Sequence, residues 1–186
     1  MRIVASVLSW LVLAQSSAQT PEGAPNLELA RYTTGGELRF PDGVDRWVHL
    51  GSGIGHGYAE DDTFDAGDPG TIHVVHIEPE AYRHLLEHKS FADGTMLLLS
   101  FYLPQAAPEP ELNGFMQGEL AAREIHVIDR SRFADGRAFF LYDPAAASTP
   151  MIPAGNECVV CHEEHGRFDG TFTQFYPFVR ELLPAD

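Results

Sequence analysis

Near the carboxyl end, the run Asn156-Glu157-Cys158-Val159-Val160-Cys161-His162-Glu163-Glu164-His165-Gly166 holds both cysteines of the chain and two of its nine histidines. No other feature restricts the fold as much, because two thiols and the adjoining imidazole must be presented together. Cys-x-x-Cys-His lets two thiols form thioether bonds to the vinyl groups of a haem, while the next imidazole reaches the iron from the same side. A helix serves this chemistry, since residues three apart share a face. The spacing therefore predicts a helix over Cys158–His165, with Cys158 and Cys161 as covalent anchors and His162 as the proximal metal ligand.

Three other chemistries use similar residues. A zinc site could take Cys158, Cys161 and His165, but a closed structural site wants four ligands and no further cysteine exists. A thioredoxin-type dithiol belongs at the start of a helix after a strand, early in a βαβ unit, whereas this run follows Pro150–Asn156 near the chain's end. A structural disulfide across two residues is strained. One covalent haem c is the reading that the residues favour.

Because the motif lies so late, a group on the far side of the iron must come from upstream. Met96 and Met116 lie in strand-like runs and read as core, and Met151 is a weak candidate just before the motif. An open sixth position fits at least as well and favours ligand binding over pure electron transfer.

The amino terminus points to export. Arg2 precedes an apolar run from Ile3 to Ala14, and Ser16-Ser17-Ala18 supplies the small residues of a cleavage site. Residues 1–18 read as a signal peptide, too short to span as a helix of ~20 apolar residues, and the mature protein as periplasmic, with no membrane association after cleavage. Residues 19–35 read as a loose leader and 36–186 as one domain. The formal charge of −15, from 27 acidic against 12 basic residues, argues against nucleic acid and anionic membranes as partners.

Five segments read as strands: Trp47–Leu50, Thr71–Ile77, Met96–Leu103, Glu124–Ile128 and Ala138–Tyr142. Pro79–His88 reads as a helix with Pro and acids in its first turn, and Thr173–Leu183 as one that Pro177 kinks or begins. Tyr58–Gly70 and Ala106–Glu111 read as loops. Consecutive strands with few helices between them predict an α+β fold, predominantly antiparallel sheet.

Several short motifs occur in an order that resembles the cytochrome P-460 family, which includes cytochrome c′-beta. They are Leu38-Arg39-Phe40-Pro41 with Trp47-Val48-His49-Leu50-Gly51, and Ile77-Glu78-Pro79-Glu80-Ala81-Tyr82. Next come Phe91-Ala92-Asp93-Gly94-Thr95, then Asp129-Arg130-Ser131-Arg132-Phe133 with Ala138-Phe139-Phe140. The haem motif and Asp169-Gly170-Thr171-Phe172-Thr173-Gln174-Phe175-Tyr176-Pro177 complete the set. The resemblance spans about residues 36–183. It implies a mono-haem c-type site with five-coordinate iron and a homodimer. It also implies one of two activities: hydroxylamine oxidation by members whose lysine is cross-linked to the porphyrin, or binding of small gases, notably nitric oxide, at an apolar distal pocket.

Departures from the family pattern separate those branches. The position of the cross-linking lysine, four residues after the threonine of Asp93-Gly94-Thr95, is Leu99 here, and Lys89 is the only lysine. The position of a family arginine is His73, and that of a tryptophan is Arg137. If Leu99 faces the haem, strand alternation puts Leu97 and Phe101 beside it as an apolar wall; ordinary core is the competing reading. His73 reads either as a distal residue with a catalytic role or as an ordinary strand histidine, and His76 as pointing the other way. His165 reads as exposed or as a support for the site. Asp169, Phe172, Phe175 and Tyr176 are expected on the proximal side, with an unidentified acceptor for the His162 ring N–H. Three functions stay open: a binder of nitric oxide or a similar small ligand, an oxidase of hydroxylamine or nitric oxide that passes electrons to a partner cytochrome, and a six-coordinate electron carrier.

Overall fold

The computed structural model describes residues 27, 29–56, 65, 67–107 and 113–183. The expected signal peptide, most of the leader, and most of the loops 58–70 and 106–111 lie outside them. Strands β1 (Leu38–Arg39) and β7 (Ser148–Thr149) form a small antiparallel pair. The main sheet has the order β2 (Val48–Ile54), β3 (Ile72–Ile77), β4 (Thr95–Ala106), β5 (Phe115–Ile128) and β6 (Arg137–Tyr142), antiparallel throughout. Helix α1 (Pro79–His88) joins β3 to β4, and helices α2 (Glu157–His165) and α3 (Pro177–Arg180) follow the sheet. The architecture is α+β and mostly antiparallel, as the segment pattern predicts.

Both faces of the sheet are covered, which explains why β4 reads as the unbroken apolar run Met96–Leu99 instead of alternating with polar residues. Leu97, Val75, Ile77 and Ile128 pack on one face with Leu85 of α1 and Val179 of α3. Met96, Leu98, Ile125, Val127, Phe140 and Tyr142 pack on the other with Leu38 and Trp47. Each fully buried Ile, Leu or Phe contributes about 2 kcal/mol. The Tyr142 hydroxyl donates to the Leu38 carbonyl at 2.8 Å and so fixes the small strand pair to β6.

The differences from expectation lie at boundaries. Strand β5 begins at Phe115 instead of Glu124, pairing with the far end of β4 through two register shifts. Met116 on that extension is exposed rather than core. Within the leader, the described residues are packed instead of loose: Leu29, Ala30 and Tyr32 cover the second core cluster. Arg39 N–H donates to the Arg31 carbonyl at 2.8 Å. Around Pro177, a 3-10 turn at Thr173–Phe175 and an extended Tyr176 precede α3, so the proline starts a helix.

Candidate haem site

Helix α2 starts where the Asn156 side chain accepts a hydrogen bond from Cys158 N–H at 3.0 Å, a standard N-cap. It ends where Gly166 N–H donates to the His162 carbonyl at 3.1 Å. Both cysteines are free thiols, Cys158 exposed and Cys161 half-buried. Burial, and then the nearby Glu124, raise the Cys158 pKa. One helical turn thus carries both thiols and the imidazole.

His162 is held by the turn that follows. Its Nδ1 lies 2.7 Å from the Gly170 carbonyl oxygen, which can only accept, so Nδ1 carries the proton and Nε2 is left with a lone pair. Two glycines permit this approach. A Cβ on Gly166 would stand 2.5 Å from the His162 carbonyl oxygen and 2.6 Å from that of Gly170, and Gly170 itself has φ +73. Asp169, with φ 54, does not face the ring. Instead it pairs with Arg130 at 2.7 Å, and Arg130 also reaches Asp93 at 2.9 Å. That bridge ties the turn carrying the Gly170 carbonyl to the ends of the sheet.

The free nitrogen of His162 points at the sheet, its Nε2 3.8 Å from Glu124 Oε1. Its ring lies 4.5 Å from Phe139, 4.7 Å from Phe172 and 5.8 Å from His126, centroid to centroid. Burial lowers the His162 pKa, the Gly170 hydrogen bond opposes this, and Arg137 lowers it further. The imidazole is therefore neutral at pH 7 and ready to ligate.

Three cross-strand rows share the sheet face that His162 meets. Ile77, Leu97, His126 and Phe139 form the first; Val75, Leu99, Glu124 and Leu141 the second; His73, Phe101 and Ala122 the third. Leu97, Leu99 and Phe101 share this face, and His162 stands over the first two rows. His73 belongs to the third row, on a strand two removed from that of Glu124. Its Nε2 bonds Thr71 Oγ1 at 2.8 Å, and its ring meets Phe101 at 4.8 Å and His56 at 4.9 Å. His76 lies on the opposite face against His49, and His165 is exposed. Phe172 packs on His162, whereas Phe175 stacks outside it, exposed, and Tyr176 lies against Gly51.

Glu124 and His126 were not singled out in the sequence. Glu124 is only 6% exposed, and burial raises its pKa to about 7. Its carboxyl is therefore poised between proton donor and acceptor at neutral pH. His126 is buried and neutral, its Nε2 without a hydrogen-bond partner. A charged residue amid the apolar end of β5, in Arg123-Glu124-Ile125-His126-Val127, was the available signal.

These residues fit a haem. Two thiols and a neutral imidazole with a free Nε2 share one helix, opposite an apolar wall, and the unpartnered His126 Nε2 leaves a buried polar atom to be satisfied. Nor do the methionines compete from this face: Met96 is buried in the cluster behind the sheet, and Met116 and Met151 are exposed. Among the described residues no helix is long and apolar enough to cross a membrane. No curated protein matches the chain. The family model described as cytochrome P460 matches residues 32–173, which include β1 to β7, α2 and the Gly170 turn. The chain belongs to the cytochrome P460 family, as its motifs had suggested, and is a haem-binding cytochrome.

Proposed function

We propose that this is a periplasmic mono-haem c-type cytochrome that binds nitric oxide or a similar small neutral ligand. Cys158 and Cys161 form the thioether bonds and His162 is the proximal ligand. When bound, a haem held by one imidazole supplies an iron with an open sixth position. The Gly170 carbonyl keeps the His162 ring oriented and raises its basicity. Val75, Leu97 and Leu99 disfavour charged ligands and exclude water. The observation that carries the reading is Leu99, an apolar side chain in register with Val75 and Glu124 where the hydroxylamine-oxidising relatives carry lysine. The protein would act in sensing, scavenging or detoxification, as a homodimer of the kind the family resemblance implies.

A second reading rests on Glu124. A buried carboxyl that titrates near pH 7 on the face addressed by His162 Nε2 suits proton transfer, and favours an oxidase of hydroxylamine or nitric oxide that hands electrons to a partner cytochrome. A six-coordinate electron carrier would need His73 or Met151 to reach the iron, and His73 is engaged by Thr71.

The test is haem staining of a denaturing gel followed by optical spectra of the ferrous protein. A stained band and a high-spin spectrum that changes on adding nitric oxide are expected. No staining would remove the covalent haem, and a low-spin spectrum indifferent to nitric oxide would establish the electron carrier. Turnover of hydroxylamine that is lost in Glu124→Gln would establish the enzyme.

A further inference from the structure

The main sheet carries a cavity of about 480 Å3 on the face turned away from α2. Its lining comes in two cross-strand rows: Ser52, Val74, Ser100 and Arg123 in one, His49, His76 and Leu98 in the next. These positions alternate along each strand with Val75, Leu99 and Glu124, which share the face that His162 meets, so the two sites share a sheet but no side chains. The volume is that of a small-molecule site.

Arg123 is the cavity's cation. Its guanidinium lies 4.8 Å from the Phe40 ring centroid, and among the described residues no carboxylate pairs with it. A planar guanidinium with donors to spare matches a carboxylate in a two-pronged fork. Further hydrogen-bonding groups converge here. Ser100 is buried, His49 Nε2 lies 2.8 Å from Ser52 Oγ, and the His49 and His76 rings meet edge to face at 5.6 Å. Tyr102 and Gln117 add a hydroxyl and an amide, while Val74 and Leu98 supply an apolar floor. Asp45 is an exposed acid of the lining. Its negative charge opposes ligands that carry more than one carboxylate.

We propose that this cavity binds a small monocarboxylate bearing a hydroxyl or oxo group. The carboxylate is held by Arg123, the short carbon body rests on Val74 and Leu98, and the extra oxygen is met by the serine and histidine groups. The haem has no part in this binding.

The experiment is calorimetric titration of the haem-loaded protein with L-lactate and with pyruvate, with nitrate as a planar anion lacking a carbon body. Saturable heat from at least one of the two acids is expected, with an unchanged haem spectrum. Arg123→Gln should weaken it about tenfold or more, the cost of a charge-assisted pair, and Arg123→Lys should weaken it less. Arg83→Gln, which removes an exposed arginine of α1, should leave it unchanged and serves as the charge control. The proposal is overturned by absence of saturable heat, by heat that survives Arg123→Gln in a protein of native circular dichroism, or by heat from nitrate alone. A haem spectrum that moves with the acid would assign binding to the other face and overturn it equally.

Discussion

Burial against Thr71 and Phe101 keeps His73 neutral, with a pKa lowered to about 4, burial being the larger cause and His56 the smaller. Above pH 6.5 the imidazole is neutral in folded and unfolded chains alike, and it contributes no pH dependence. As pH falls from 6.5 toward 4, the unfolded chain takes up a proton that the folded one refuses, so stability is lost across that window. The loss attributable to this residue is about 3 kcal/mol. Urea midpoints of wild type and His73→Gln, measured from pH 7 to 4, should show the variant losing less by about that amount. Parallel curves would mean that His73 is solvated in the folded protein. Leu99 gives a second prediction at this scale. Leu99→Lys places an amine directly across the strand pair from Glu124, on the face that His162 addresses. If that face lines the porphyrin edge, the haem-loaded variant treated with hydrogen peroxide, which takes the two electrons released when an amine N–H and a porphyrin C–H give way to a C–N bond, should gain a lysine–porphyrin bond, read as a far red-shifted ferrous Soret band. An unaltered spectrum would place Leu99 in ordinary core.

At the scale of elements, the family motifs resolve into turn chemistry. Glu78 accepts from Ala81 N–H at 2.9 Å and caps α1. Asp129 accepts from the backbone of Ser131 at 3.1 Å and of Arg132 at 3.0 Å, and Gly94 turns at φ 84 before β4. Such motifs are legible because capping and tight turns depend on neighbours in sequence. Helix α2 is different, since its use depends on where its last turn docks. Gly166→Ala would push a methyl group into the His162 and Gly170 carbonyl oxygens, and relief of that clash must separate α2 from the following turn. A destabilisation of about 1–3 kcal/mol is expected, measurable as a lowered denaturation midpoint. In the haem-loaded protein, the reduction potential should also shift, because the His162 ring loses its acceptor. A variant of unchanged stability and potential would mean that the Gly170 contact does not orient the ring.

For the whole molecule, the formal charge is −15, most acids among the described residues are exposed, and their mutual repulsion opposes compaction. Raising sodium chloride to physiological strength and beyond shortens the Debye length to about 8 Å or less. A gain of about 1 kcal/mol would raise the denaturation temperature by about 2–4 °C. A melting point that falls with salt would show instead that specific ion pairs, such as the Arg130 bridge to Asp93 and Asp169, outweigh the repulsion. The sheet's two faces organise the rest. One carries α1, α2, α3 and the candidate haem residues; the other carries the small strand pair, the second cluster and the Arg123 cavity.

By itself, the sequence determined the helix that carries Cys158, Cys161 and His162, the five segments of the main strands, and the kinship with the P460 cytochromes. Each rests on local spacing: two residues between the thiols, an imidazole directly after the second, two-residue alternation along strands. Only the tertiary structure decided what meets His162. The acceptor is the Gly170 carbonyl and not a side chain, and no residue type announces a backbone oxygen. Glu124 comes from β5, far back along the chain, and reaches His162 because register sets which side of the sheet it faces. Strand pairing shifted by one residue would have turned Glu124 away from α2 and brought Arg123 toward it. Register depends on the packing of both faces at once, and local sequence does not contain it.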